Sequence, residues 1–400
     1  MAAAEATSRG DEAARLARAA ADWLIDSTSV EGGDPSLYRG LAGVLLALEE
    51  ARRHFGDDRY TRTIADGAEA LDDMVDRLED CSLYFGLGGM AVALSALGRD
   101  AAAERALHRI RQRFDGSRWS EMFELLSGNA GIGLAALYVG DVDLAVCAVA
   151  PYLTTADQTA GGVNWAVRPS PPRSHHIAHG TLGIVTALAA VGAAAGRDDM
   201  VDLALAGAAD VVSRNVAGPD GFLVPHSDPP HRPELIERYS FGWCNGPAGD
   251  AQVFRLLGQV TGDRAWIDLT DRCWNTITLS GLPRRRRPGF WDNNGRCCGT
   301  AGVVALACDR IVERGDDVGF AQLLVDDLAH RATVDDAGVR WSNVEYRSTP
   351  AALEPQAGWA MGAAGIIREL LRYARLRGGG PPGYAVPWPD HPHARFASRG

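Results

Sequence analysis

One short pattern recurs along the chain and decides most of what it can fold into. A glycine, two residues and a second glycine open an apolar run in RGLAGVLLAL (Gly40), FGLGGMAVAL (Gly86), SGNAGIGLAAL (Gly128), HGTLGIVTAL (Gly180), NGPAGDAQVF (Gly246), CGTAGVVALA (Gly299) and MGAAGIIREL (Gly362). The seven copies stand 42 to 66 residues apart, room for two helices and their loops each time. Between them lie more polar patterns with apolar residues at spacings of three and four, such as TRTIADGAEALDDMVDRL, AAERALHRIRQRF, MVDLALAGAADVVSRNV and AWIDLTDRCWNTI. Those predict outer helices with one buried stripe. The glycine-led runs are apolar around most of their circumference and predict inner helices buried on every side.

Stacked helical hairpins make either an open solenoid or a closed ring. A solenoid needs polar terminal repeats, whereas the first and last motifs here are as apolar as the middle ones. The expectation is therefore an all-α fold, an α/α toroid of seven inner and seven outer helices. It makes residues 1–377 one domain, followed by a Gly/Pro-rich, flexible tail at 378–400. All the glycine turns then ring one face. The long irregular loops DQTAGGVNWAVRPSPPRSHH and VPHSDPPHRPEL precede motifs on that face and suggest a mouth shaped for substrate.

Composition narrows the chemistry. The chain contains no lysine, which removes phosphate-loop, kinase and Schiff-base lysines together. Abundant alanine, arginine and glycine point to a GC-rich source as the reason. A net charge of -11 argues against a nucleic-acid surface. The one basic block, Arg284 to Arg287, reads as a solvated loop or as a clamp for an acidic peptide. With no apolar span and no export signal, the expected location is cytoplasmic.

Seven cysteines, an odd number scattered through a large chain, do not make a disulfide framework. Cys244 lies two residues before the fifth glycine motif, and Cys297 and Cys298 lie immediately before the sixth. Three sulfurs at the starts of neighbouring inner helices, where free N–H groups and the helix dipole favour thiolates, suit zinc with one open position. Three core cysteines, or a closed structural zinc with a fourth ligand, fit the same spacing. Cys81, Cys147, Cys273 and Cys308 lie elsewhere and read as packing residues.

The motifs GWCNGPAG, CCGTAG and HIAHGTLGI resemble those of the lanthionine synthetase C-like family, and the resemblance extends through all the glycine motifs. It implies an α/α toroid carrying one zinc per chain and closing (methyl)lanthionine thioether rings in lanthipeptides, a step in antibiotic biosynthesis. The implied reaction is Michael addition of a peptide cysteine thiolate to dehydroalanine or dehydrobutyrine. Cys244 matches the first ligand and Cys297 the second. Cys298 stands where most members have histidine, although some multi-product members also carry C-C-G, so it is the third ligand. His179 matches the acid/base histidine, and the neutral-pH titration of imidazole suits that work. Glu124 replaces the family's aspartate. It keeps a carboxylate with one more methylene, and a plain helix-start carboxylate explains it as well. The family arginine falls on Ser240, leaving Arg238 as the nearest substitute, and Asn245 stands where some members have tyrosine. His175 and His176 read as solvated loop residues.

The resemblance implies a dehydrated, cysteine-containing precursor peptide and a separate dehydratase as partners. Eukaryotic relatives suggest another enzyme, one that adds glutathione to dehydrated proteins. A non-catalytic scaffold for leader peptide or dehydratase is a different class, and the intact Cys244, Cys297, Cys298 and His179 count against it. An α/α-toroid carbohydrate enzyme would need paired acids, and only Glu124 lies near a glycine motif.

Overall fold

The computed structural model describes residues 2–28, 33–234, 236–286, 291–345, 349–389 and 391. In chain order the helices are α1 (Ala2–Ser27), α2 (Leu41–Phe55), α3 (Thr61–Met74), α4 (Leu87–Ala96), α5 (Asp100–Gln112), α6 (Asn129–Val139), α7 (Val142–Val149) and the single turn α8 (Tyr152–Thr155). They continue with α9 (Thr181–Ala195), α10 (Asp198–Ser213), α11 (Pro247–Thr261), α12 (Arg264–Leu279), α13 (Thr300–Arg314), α14 (Gly319–Arg331) and α15 (Ala363–Arg377). Each glycine motif places its first glycine at a helix N-cap, so the motif is a helix start in every copy. Five of these helices stop at a left-handed glycine: Gly56, Gly140, Gly196, Gly262 and Gly315.

The second glycine of the motif is a packing requirement. A Cβ on Gly249 would stand 1.8 Å from the Trp243 carbonyl oxygen, and one on Gly183 would stand 2.2 Å from that of Ile177. The preceding turn folds back onto the first helical turn so closely that only glycine fits.

The chain forms two compact units. One comprises residues 74–280 and 387–400. Within it the glycine-led helices α4, α6, α9 and α11 pack side by side in chain order, and α5, α7, α10 and α12 each pack on the helix before them. Helix α9 is buried from Thr181 through Gly192, as a uniformly apolar run should be, while α12 buries a stripe at Leu269, Thr270, Cys273 and Ile277. The two long loops expected to be irregular are tied by a short antiparallel pair, β1 (Arg173–Ser174) with β2 (Ser227–Asp228). That pairing brings His175 and His226 together, with the His175 N–H donating to the His226 carbonyl at 3.3 Å.

The other unit comprises residues 1–73 and 281–386. Here α15 packs between α13 and α2, so the last glycine motif abuts the first. The Ala360 N–H donates to the Tyr38 carbonyl across that junction at 2.8 Å. The N-terminal helix α1 packs on α15. An open stack would not join its ends this way.

Two expectations change on inspection. The glycine-led helices of this unit are not apolar throughout: α15 pairs its buried Glu369 with Arg296 of the turn before α13 at 3.0 Å, its buried Arg372 with Asp309 of α13 at 2.6 Å, and its half-buried Arg375 with the buried Glu50 of α2 at 2.5 Å. Residues 378–386, expected to be a flexible tail, are held down. Glu50 accepts the N–H groups of Ala385 and Val386 at 3.0 and 2.7 Å, and the Tyr384 hydroxyl donates to Glu369 at 2.7 Å. Beyond them Trp388 is buried. No helix among the described residues is long and apolar enough to cross a membrane.

Candidate active site

Glu124 lies four residues before Gly128, in the turn that leads into α6. Its two carboxylate oxygens accept the N–H groups of Leu126 and Ser127 at 2.8 and 2.7 Å, and the side chain is fully buried. A carboxylate held by two N–H groups cannot rotate freely. One of its oxygens stands 3.2 Å from Nδ1 of His179, whose side chain is one-third exposed. The turn before α9 therefore presents a histidine whose Nδ1 faces an anchored carboxylate, with Nε2 on the other side of the ring. Glu124 thus caps its own turn and stands beside His179.

Cys244 is buried two residues before the N-cap of α11. The Asn245 side-chain amide donates to its sulfur at 3.4 Å, a contact absent from the sequence reading. The Cys244 carbonyl accepts the Ala178 N–H at 3.2 Å, which ties this turn to the one carrying His179. Arg238, the nearest substitute for the family arginine, lies six residues before Cys244. Its carbonyl accepts the His226 N–H at 2.8 Å and its guanidinium lies 5.5 Å from the Tyr239 ring centroid; none of these contacts reaches His179 or Cys244.

His175 and His176 are not solvated loop residues. Both are buried, because β1 and β2 fold the loop ends over them. His176 Nδ1 lies 2.9 and 3.0 Å from the two oxygens of Asp250, in the first turn of α11. Burial pushes the imidazoles of His175 and His226 down to about 3 and raises the Asp250 carboxyl. Sequence reasoning missed Asp250 and His226. The visible signal for Asp250 was a carboxylate one residue past a Gly-x-x-Gly, inside an otherwise apolar start.

In the other unit, Cys297 and Cys298 precede the N-cap of α13 with their sulfurs 3.5 Å apart. Both are free thiols, and this separation is far beyond a disulfide bond. Two thiolates on one tetrahedral zinc at bond lengths of about 2.3 Å stand about 3.8 Å apart, so the pair fits a shared metal. The Cys297 N–H donates to the Ala360 carbonyl at 2.8 Å, fixing the turn. The Tyr38 hydroxyl donates to the Cys297 sulfur at 3.6 Å, which gives that sulfur a partner from the turn before the first glycine motif.

The remaining cysteines differ in kind. Burial pushes the thiols of Cys81 and Cys308 up to about 11 and about 12, and raises those of Cys273 and Cys147 as well. They pack and do not ionise. Of the basic block, Arg285 lies 2.9 Å from the buried Asp292, so it is already paired within the chain. Arg287 lies outside the described residues.

Comparison with solved structures places the architecture in the all-α, α/α-toroid class. Nisin cyclase matches with a TM-score of 0.65 at 16% identity, over 92% of this chain and 94% of that one. An inactive variant of an α-1,6-mannanase from Salegentibacter in complex with α-1,6-mannotriose matches at 0.51 and 11% identity, over 91% and 98%. An unsaturated glucuronyl hydrolase specific for heparin matches at 0.51 and 10% identity, over 93% and 98%. Likenesses at these identities establish the fold. Curated protein sequences give no match. The family model described as lanthionine synthetase C-like protein matches residues 32–374, and the chain belongs to that family.

Proposed function

We propose that this protein is a zinc-dependent lanthipeptide cyclase that forms (methyl)lanthionine rings in a dehydrated, cysteine-containing precursor peptide supplied by a separate dehydratase. The observation that carries the reading is the pair of sulfurs of Cys297 and Cys298, 3.5 Å apart at a helix start in a chain of this family. In this reading Cys244, Cys297 and Cys298 serve as the ligand set, three sulfurs with one position left open. Bound zinc would supply the positive charge that holds a peptide cysteine as its thiolate.

The chain's own groups do the rest. Addition forms a C–S bond at the β-carbon of the dehydro residue and breaks its C=C π bond, leaving an enolate that needs a proton at the α-carbon. His179 delivers that proton from Nε2, and Glu124 holds the ring with Nδ1 facing the anchored carboxylate. A thiolate in place of a neutral imidazole at Cys298 adds negative charge to the ligand set. With zinc held there, a substrate sulfur on it would be more electron-rich, at the expense of Lewis acidity.

Metal analysis tests the ligand set. The purified protein should hold about one zinc, and Cys297→Ala should lose most of it, because two sulfurs make a poor site. Cys298→His should keep the metal. Undiminished zinc in Cys297→Ala would remove Cys297 from the set and, with it, the proposed site.

A further inference from the structure

We infer that the buried His176–Asp250 pair is a positioning device for the site, locking the turn that carries His179 onto the helix start that carries Cys244. The inference rests on the proposed function. Three consecutive residues make the lock. His176 Nδ1 meets both Asp250 oxygens at 2.9 and 3.0 Å, with side chains 1% and 0% exposed. Ile177 packs against Gly249, where an added Cβ would lie 2.6 Å from its Cγ2. The Ala178 N–H donates to the Cys244 carbonyl at 3.2 Å. His179 is the next residue, so its imidazole inherits whatever register these contacts set.

The repeat shows that this use is special. His176 stands four residues before Gly180, just as Glu124 stands four before Gly128 and Ser82 four before Gly86. Ser82 spends its side chain on an N–H group of its own turn, and Glu124 caps its own turn while also standing 3.2 Å from His179. His176 instead reaches 74 residues along the chain, to the helix of the following motif. Its Nε2 is buried without a partner and His226 lies 6.3 Å away ring to ring, so among its contacts the bond to Asp250 is what fixes the imidazole. A backbone lock alone would leave the turn free to shift against α11. The pair removes that freedom, and about 1 Å of misplacement at a catalytic group costs up to roughly 10²-fold in rate.

Three forms of the full chain test the inference: wild type, His176→Leu and His176→Asn, whose side-chain amide puts a donor where Nδ1 stood. His176→Leu should keep about one zinc, hold KM for the dehydrated peptide and lower kcat by roughly 10–10². His176→Asn should recover most of the loss. Wild-type kcat in His176→Leu, an Asn variant as slow as the Leu variant, or zinc falling in step with kcat would each overturn the positioning role. If His176→Leu does not fold, His176→Gln, which moves the donor to the Nε2 position, replaces it with the same expectation. A second readout does not need activity. In zinc-free protein, alkylation of Cys244 followed by mass spectrometry should be faster in His176→Leu than in wild type and slow again in His176→Asn. Equal rates in all three would overturn the lock. A wild type that closes no ring would defeat the proposed function while leaving this second comparison decisive.

Discussion

Glu124 caps its own turn and stands beside His179, and under the proposed function that second contact lets a longer acid serve where the resemblance implies aspartate. Its oxygens are anchored by Leu126 and Ser127, and the anchored group still reaches His179 Nδ1 at 3.2 Å. His179→Ala should therefore keep zinc and slow ring closure by roughly 10²–10⁴, the usual worth of a positioned acid or base. Metal analysis alongside thiol counting checks it. Zinc lost as completely as in Cys297→Ala would make His179 a ligand instead. His179, Glu124 and the cysteines were legible because each lies within four residues of a glycine turn whose repeats align by eye. His176, Asp250 and His226 were not. Their meaning lies in pairings across 50 to 74 residues, as for the 74 that separate His176 from Asp250, and no local pattern encodes those. A histidine pair in a Pro/Ser-rich loop reads as solvated until the loop is seen folded under β1 and β2.

At the scale of elements, the glycine-led starts and the polar helices between them were readable because Gly-x-x-Gly fixes one end and helical periodicity the other. The pairing of α1 with α15 was not readable, since nothing in the first 27 residues names its partner. The charged residues inside α2, α13 and α15 were misjudged for a related reason. Glu50, Asp309, Glu369 and Arg372 look like surface residues until their partners, themselves buried, are known. A buried pair is maintained by mutual compensation, and single residues do not reveal it.

For the molecule as a whole, the buried histidines set a direction for acid stability. His175 and His226 are held near 3 when folded, against 6.5 for exposed imidazole, so below about pH 6.5 the unfolded chain binds protons that the folded chain does not. Stability is complete above that pH and is lost as pH falls toward 3, by about 2 kcal/mol per histidine between pH 7 and 5. The raised carboxyl of Asp250 works the other way. Thermal melting of zinc-free protein should show the fall, and His175→Leu should flatten it. A slope unchanged in that variant would contradict the burial argument.

The fold is shared with glycan-acting enzymes such as the mannanase and the glucuronyl hydrolase, so the architecture alone does not choose the reaction. The proposed function rests instead on the sulfurs and the His179–Glu124 pair. The most direct test is to incubate the purified protein with a dehydrated, cysteine-containing precursor peptide and count unalkylated thiols by mass spectrometry, with and without a zinc chelator. Thiols should disappear at unchanged peptide mass, chelation should stop the loss, and added zinc should restore it. Thiols that persist with the metal-loaded protein, or vanish equally fast after chelation, would contradict a zinc-dependent cyclase.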